Sequence, residues 1–553
     1  MVLCVALVAL AVRALHVAFI HGHPFWDLGE QWPSSDMYQY AAWARHLASG
    51  DWLDRNTFRA WFDWQEAIAP QEVWNSWYGA HVYYQPPLYP YLAAIFLAFT
   101  GSLDAFRFAQ VAIGALNCAL VALLAVRLYG RTAGWVAGLA AALYAPWILY
   151  DAELLRGTFT LATQALLLLA LTTWHWTLPD EAPSKGRLRA ALCGVALGVS
   201  WLTDPVIISF APVAGLWMIW SCRSRDLAWR RAAESLGLLI AGAALAVLPL
   251  AARNAAAGAP LLSSTTRGPL AFVMGNAPDA QPAGATIPPS TPGILRRAGY
   301  TMSGTIRETI ALYRGQWGGL IAHQWSKLKA LWGNFEIPDN PSFYYATHIS
   351  PALRFGLRFL PVASVGLVGI ALSLFASAKG RDPLRALLPL FLVSAMGIFL
   401  LAHVVSRYRQ PMLLALFPLA GYAVAWAVSR GWGGRAGVAV AVALIALLLP
   451  WGPTAGYGYN RPAEFIMTAR IHAQRGEVDE AVAELQSAMD LARREDLFRP
   501  AVALLHYETG MIEQDAGRGE RAAASYRAAL QEDPGFAAAA EALRAMEMEM
   551  RAR

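Results

Sequence analysis

Three groups of side chains in this sequence have types and spacings suited to chemistry on a charged substrate. The first is a lone carboxylate, Asp36, directly after Pro33-Ser34-Ser35. At the start of a helix the macrodipole favours its ionised form, and an ionised carboxylate there could take a proton from an attacking hydroxyl. A first-turn helix acid would look the same. The second group is Asp151 and Glu153, followed by Arg156, at the end of an apolar run. They read as supporting acids or as interfacial charges partnered by Arg156. The third group is cationic. Arg407 and Arg409 fall in Val405-Ser406-Arg407-Tyr408-Arg409-Gln410-Pro411, between two apolar segments. Guanidinium forks bind phosphate in bidentate fashion; contact with lipid headgroups is the competing reading. Arg253, Asn254, Arg267 and Asn276 are further candidates of the same kind. Tyr84, Gln85 and Pro86 close an aromatic run and, with Tyr408, are candidates for substrate contact. His21 and His23 read as an interfacial pair rather than a metal site, and Asp204 before Pro205 reads as a turn residue.

Several motifs are absent. The sequence has no Walker A loop, no G-x-G-x-x-G after a strand, no D-x-D pair and no H-E-x-x-H. No soluble stretch is long enough for a nucleotide-binding fold. Outward-facing chemistry would then need an activated donor carried in the membrane. Displacement at a sugar carbon, with a lipid phosphate leaving as a stable anion, matches outward carboxylates combined with outward arginines. No cofactor is expected, and the need for a divalent metal stays open.

The elements that must position these residues are membrane helices. Of 553 residues, 57% are hydrophobic and 15% charged, whereas soluble domains are typically about a quarter charged. Spans about 20 apolar residues long are expected near 2–20, 104–128, 131–150, 156–176, 188–203, 205–221, 232–252, 357–376, 384–405, 409–428 and 435–452. The expected fold class is therefore all-α, a polytopic membrane protein of about eleven transmembrane helices. The first run lacks an A-x-A cleavage site and reads as an anchor. Residues 88–100, after Pro86 and Pro87, read as an interfacial or re-entrant helix.

Basic residues set the orientation. Short loops on one side hold Arg127, Arg131, Lys185, Arg187, Arg189, Arg223, Arg225, Arg230, Arg231, Lys379, Arg381, Arg385, Arg430 and Arg435; the other side's hold only Arg156, Arg407 and Arg409. The first side is then cytoplasmic. Loops 21–103 and 253–356 and the C-terminal tail lie outside. Apolar residues at helical spacing predict a helix over 36–49 lying on the membrane, capped by Ser34 or Ser35. The tryptophans of loop 21–103 are expected at the headgroups. The four cysteines fall in or beside spans, which argues against a disulfide framework. The net charge of +6 follows from topology and does not imply nucleic acid. The transmembrane unit is expected over 1–453. From 454 to 553 the composition turns to Ala, Glu, Arg and Gln, and Gly476, Ala481, Leu485 and Ala488 recur as Gly517, Ala522, Tyr526 and Ala529. The pattern is similar to tetratricopeptide repeats, so this tail is a candidate site for a protein partner.

Taken in order along 1–430, these motifs resemble the C-type, polyprenyl-phosphate-sugar-dependent (GT-C) glycosyltransferases, in the branch with protein O-mannosyltransferases and aminoarabinose transferases. The resemblance rests on Ser35-Asp36-Met37-Tyr38, Trp43-Ala44-Arg45, Pro86-Pro87-Leu88-Tyr89-Pro90, Arg127-Leu128-Tyr129-Gly130, Asp151-Ala152-Glu153, Leu248-Pro249 with Arg253-Asn254, and Ser406-Arg407-Tyr408-Arg409-Gln410-Pro411. It implies an inverting transferase with Asp36 as base, Asp151 or Glu153 shaping the site, and Arg407 on the lipid phosphate. Gln85 departs from the family, which often has His there. The implied partners are a polyprenyl-phosphate sugar and a protein or glycolipid acceptor. The Ala/Arg-rich composition suggests a bacterial inner membrane. Two rival readings predict different things. A flippase of a lipid-linked sugar predicts charges inside several spans, and a repeat scaffold predicts that Asp36 is dispensable.

Overall fold

The computed structural model describes residues 1–59, 61–177, 183–380, 382–450, 462–494 and 499–552. Arg381, used above for topology, the end of the span expected over 435–452 and the boundary between 453 and 454 lie outside these residues. Among the described residues there is no strand, and Tyr144 and Leu357 form an isolated bridge. Eight helices are long and apolar enough to cross a membrane, and two shorter apolar helices, Leu88–Thr100 and Pro383–Gly397, accompany them. The protein is an all-α, multi-span membrane protein.

All of the expected spans fall on helices, but the one expected over 131–150 is broken. It is built as Arg131–Ala142 and Ala145–Ala152. The ladder stops at 143–144 because the backbone there bonds elsewhere: Ala145 donates to the Leu357 carbonyl and Leu357 to the Leu143 carbonyl. Pro146, in the first turn of the second piece, has no N–H to continue the ladder. Helix Gln410–Ser429 runs through the middle of the bundle with Met412 to Gly421 buried throughout. It packs against Leu103–Tyr129, Arg131–Ala142 and Phe359–Gly380.

Small residues bring the helices together. A Cβ on Gly242 would run into the Ala191 carbonyl, and one on Gly194 into that of Leu239. Helices Pro183–Thr203 and Trp229–Ala257 thus touch backbone to backbone, the usual way apolar helices associate where water gives no driving force.

The loop between the first two spans is structured. Ser35 caps the helix Asp36–Ala48, its Oγ accepting from the Tyr38 N–H at 3.1 Å. The helix is where the sequence puts it, but its apolar face is not laid on lipid. Met37, Tyr40, Trp43, Ala44 and Leu47 are buried against helices Pro24–Gln31 and Leu88–Thr100. Several loop tryptophans go the same way. Trp26, Trp43 and Trp74 are buried, and Trp52 stays exposed. Trp74, Tyr78 and Tyr84 form a cluster with Leu270, Val273, Ile294 and Tyr300, which locks the first long loop onto the second. The aromatic density of 21–103 is therefore largely core, because the second loop supplies an apolar surface that sequence inspection does not show.

The C-terminal helices Pro462–Gln474, Val478–Arg494, Arg499–Asp515, Gly519–Glu532 and Ala537–Ala552 pack in sequence. The two glycines matched by the repeat, Gly476 and Gly517, both turn at positive φ, 81° and 74°. Ala481, Leu485, Ala522, Tyr526 and Ala529 are fully buried.

Candidate active site

Four segments distant in sequence deliver charged side chains to one point. Asp36 stands at the first position of its helix. Arg267 immediately precedes the helix Gly268–Asn276. Arg407 lies in the 3-10 turn Ser406–Arg409 that leads into the central helix. Asp339 comes from the irregular segment between helices Trp317–Trp332 and Phe343–Ile349.

The Asp36 carboxylate is fully engaged. Arg407 Nη2 donates to Oδ2 at 2.7 Å, Arg267 Nη1 to Oδ1 at 3.2 Å, and Gln85 Nε2 to Oδ1 at 2.9 Å. Gln85 is held in that orientation because its Oε1 accepts from the Tyr40 hydroxyl at 2.9 Å. The Asp36 backbone N–H donates to Asn340 Oδ1 at 2.7 Å. Arg407 also pairs with Asp339 Oδ2 at 2.5 Å. The side chains of Asp36 and Arg407 are 13% and 10% exposed. Burial opposes the charge on Asp36, but Arg267 and Arg407 outweigh it and hold the carboxyl well below the usual aspartate range.

Arg267 and Arg407 face a cleft of about 440 Å³. Its walls also include Pro86, Arg156, Asp204, His403 and Tyr408. Arg156 lies 3.8 Å from Asp204. The first turns of Gly157–Trp176, Gly268–Asn276 and Gln410–Ser429 open into the same space, adding the positive ends of three helix dipoles to three guanidinium groups. Arg407 Nε, His403 Nδ1, Gln410 Nε2 and Thr160 Oγ1 are buried without a hydrogen-bond partner. Groups of this kind call for a ligand or water. Burial, with Arg267 and Arg407 nearby, pushes the His403 imidazole down to about 3, so it is neutral at physiological pH. A second, almost wholly apolar groove of about 810 Å³ lies between helices Pro183–Thr203, Phe210–Arg223 and Trp229–Ala257, and shares Ile208 with the polar cleft.

Other residues singled out in the sequence are placed elsewhere. Arg409 is buried and donates to the carbonyls of Gly333 and Phe335 and to Ser406, so it pins the 333–337 segment. Arg253 donates to the carbonyls of Leu53, His81 and Asp54 and lies over the Tyr83 ring, clamping the first loop. In both, carbonyl groups take the donors that a phosphate would need. Asp151 accepts from Arg13 Nε at 2.8 Å and from Thr158 Oγ1 at 2.6 Å, a pair buried among the spans. Arg13 lies inside the first span and Arg107 inside the second, and neither lines either cavity. Glu153 is fully buried with both carboxyl oxygens unpartnered, and burial pushes it up to about 7 against the pull of Arg107. Asn276 accepts from Gln324 and Lys327. Tyr84 packs in the aromatic cluster, with the Arg267 guanidinium 5.5 Å from its ring centre. His23 lies beside His472, and among the described residues His46, Asp51 and Asp54 form a three-ligand cluster with metal-like spacing.

His403, Asp339 and Asn340 are site residues that the sequence reading passes over. Asp339 and Asn340 lie between two prolines, which marks a turn and accounts for both residue types without a function.

Residues 84–251 match the family model described as dolichyl-phosphate-mannose-protein mannosyltransferase. The matched segment is under a third of the chain and runs from the Tyr84-Gln85-Pro86 turn into the Trp229–Ala257 helix. No curated protein sequence matches the chain. Among solved structures, it is similar to the archaeal oligosaccharyltransferase AglB from Archaeoglobus fulgidus in complex with an inhibitory peptide and a dolichol-phosphate, at 13% identity and TM-score 0.45, over 86% of this chain and 59% of that one. It is also similar to ArnT from Cupriavidus metallidurans bound to undecaprenyl phosphate, at 16% identity and TM-score 0.40, over 94% of this chain and 79% of that one. The chain spans 54% of the archaeal oligosaccharyltransferase solved in the apo form.

Proposed function

We propose that this protein is an integral membrane glycosyltransferase that moves a sugar from a polyprenyl phosphate to a protein, lipid or glycan acceptor, with inversion, on the outer face of a bacterial inner membrane. The observation that supports this most is the junction of Asp36 with Arg267 and Arg407 at the mouth of a cationic cleft that adjoins an apolar groove. A polyprenyl phosphate has the matching form, an anionic head on a long apolar chain. Its phosphate would sit among Arg156, Arg267 and Arg407, and its chain would pass Ile208 into the groove. The family model's description names a donor of this class.

The acceptor hydroxyl oxygen forms a bond to the anomeric carbon as the bond from that carbon to the phosphate oxygen breaks. The phosphate leaves as an anion stabilised by the guanidinium groups. The hydroxyl proton passes to Asp36. In the resting arrangement Asp36 is a weak base, because two arginines hold its charge. A phosphate entering the cleft competes for the same two arginines, and each hydrogen bond it takes from Asp36 raises that carboxylate's basicity. Asp151 and Arg253 would support the site through packing and would not touch the substrate.

A flippase would not need Asp36 as a base, and Arg13 and Arg107, which lie inside the first two spans, line neither cavity. The test is release of polyprenyl phosphate from a panel of radiolabelled polyprenyl-phosphate sugars by purified wild type and Asp36→Asn, with acceptor extracts supplied. Release from one donor, lowered at least a hundredfold in the folded variant, is expected. Normal turnover by Asp36→Asn would remove Asp36 as base, and no release from any donor would shift the reading to lipid transport.

A further inference from the structure

The segment 338–346 lies between the Asp36 site and the first helix of the C-terminal unit, and it touches both. On the site side, Asp339 pairs with Arg407 and Asn340 Oδ1 accepts the Asp36 N–H. On the other side, the Ser342 N–H donates to Glu464 Oε1 at 2.9 Å. Three residues on, the Tyr345 hydroxyl donates to Glu484 Oε1 at 2.5 Å and meets Thr468 Oγ1 at 2.9 Å, while its ring stands edge-on to Phe465 at 4.7 Å. Ser342, Phe343, Tyr345, Glu464 and Thr468 are all buried. From Glu464 to the Asp36 amide the path is therefore a short stretch of buried backbone fixed at both ends.

Other contacts seat the same unit. Arg475 pairs with Asp27 Oδ2 at 2.5 Å and donates to the Gly22 carbonyl at 3.1 Å. These bonds hold the unit on the first loop without touching 338–346.

We infer that the C-terminal unit is a working part of the active site, with Glu464 a positioning residue that, by fixing the strap 338–346, sets Asn340 against Asp36 and Asp339 against Arg407. Burying the Glu464 carboxylate costs free energy unless it is hydrogen-bonded, so the bond from the Ser342 N–H ties the strap to the position of Glu464. The inference rests on the function proposed above. It gives the tail a role that neither acceptor recruitment nor a detachable scaffold would give: the site is incomplete without it. Acceptor engagement by the repeats could then be felt at Asp36 through a path of a few residues.

The experiment compares full-length wild type, Glu464→Ala, Glu464→Gln and Arg475→Ala, each checked for monodispersity and melting temperature. Hydrogen exchange is read on peptides covering 33–40 and 338–346, and polyprenyl phosphate release is measured against donor concentration. Glu464→Ala is expected to speed exchange in both peptides and to lower kcat about tenfold, because small misplacements of reacting groups cost this much or more, with the donor KM within twofold. Glu464→Gln keeps a carbonyl acceptor for Ser342 and is expected to restore both readouts. Arg475→Ala is expected to change neither. Unchanged exchange in a folded Glu464→Ala overturns the inference, as does a tenfold loss in Arg475→Ala as well. If wild type releases no polyprenyl phosphate from any donor, the proposed function fails, while the exchange result still decides whether the tail positions the site.

Discussion

Asp36 is made a carboxylate with restrained basicity by the residues around it, and this has a consequence for pH dependence. Its carboxyl is held below the ordinary aspartate value of 3.8 despite burial, because Arg267 and Arg407 oppose protonation. A depressed pKa places ion-pair stability above the unfolded value and removes it only as pH falls through the lower, folded one. The acid limb of kcat/KM, which reports the free enzyme, is therefore expected below pH 3.8 in wild type. In Arg267→Gln the limb is expected to move upward, and kcat/KM at neutral pH to fall about tenfold or more as a phosphate contact is lost. A profile with the same acid limb in both proteins would show that Arg267 does not govern this charge. At this scale the sequence identifies the ionisable residues but not their partners. Arg156, Arg253, Arg407 and Arg409 look alike as interfacial arginines; only in the fold do Arg253 and Arg409 end on backbone carbonyls while Arg156 and Arg407 face the cleft.

At the scale of elements, the apolar groove depends on three helices held at a fixed spacing. Gly242 and Gly194 set the approach of two of them, since any side chain there meets backbone. Gly242→Leu is expected to force helices Pro183–Thr203 and Trp229–Ala257 apart, costing about 2–3 kcal/mol from overpacking, and to raise the KM for long-chain donors more than for short-chain analogues. Melting and donor chain-length series on the purified variant check both. Gly237 faces open space, so Gly237→Ala is the matched control and should change little. Helix existence was legible here from apolar periodicity. The break at 143–144 was not, because it depends on Leu357, more than two hundred residues away.

The whole molecule is joined by contacts that no local pattern encodes. Trp74 is the centre of the aromatic cluster: its ring lies 5.1–5.8 Å from those of Trp64, Trp77, Tyr78 and Tyr300, and its indole N–H donates to the Gln65 carbonyl. Trp74→Ala is expected to cost roughly 3–5 kcal/mol and, by freeing one loop from the other, to reduce turnover without touching the cleft. A variant with unchanged melting temperature would show that this cluster does not join the loops.

The sequence by itself determined the membrane class, the helical segments, the candidate acid Asp36 and the late arginine turn. Each is set by composition, by period or by a short motif, and these survive without knowledge of neighbours. Tertiary structure alone decided that the aromatic loop is core rather than headgroup belt, that Arg267 and Asp339 complete the site, and that Pro462–Gln474 reaches back to the strap beside it. Those outcomes depend on which surfaces meet. Burial and ion pairing between segments hundreds of residues apart are properties of the packed chain, and a lone residue's type does not carry them.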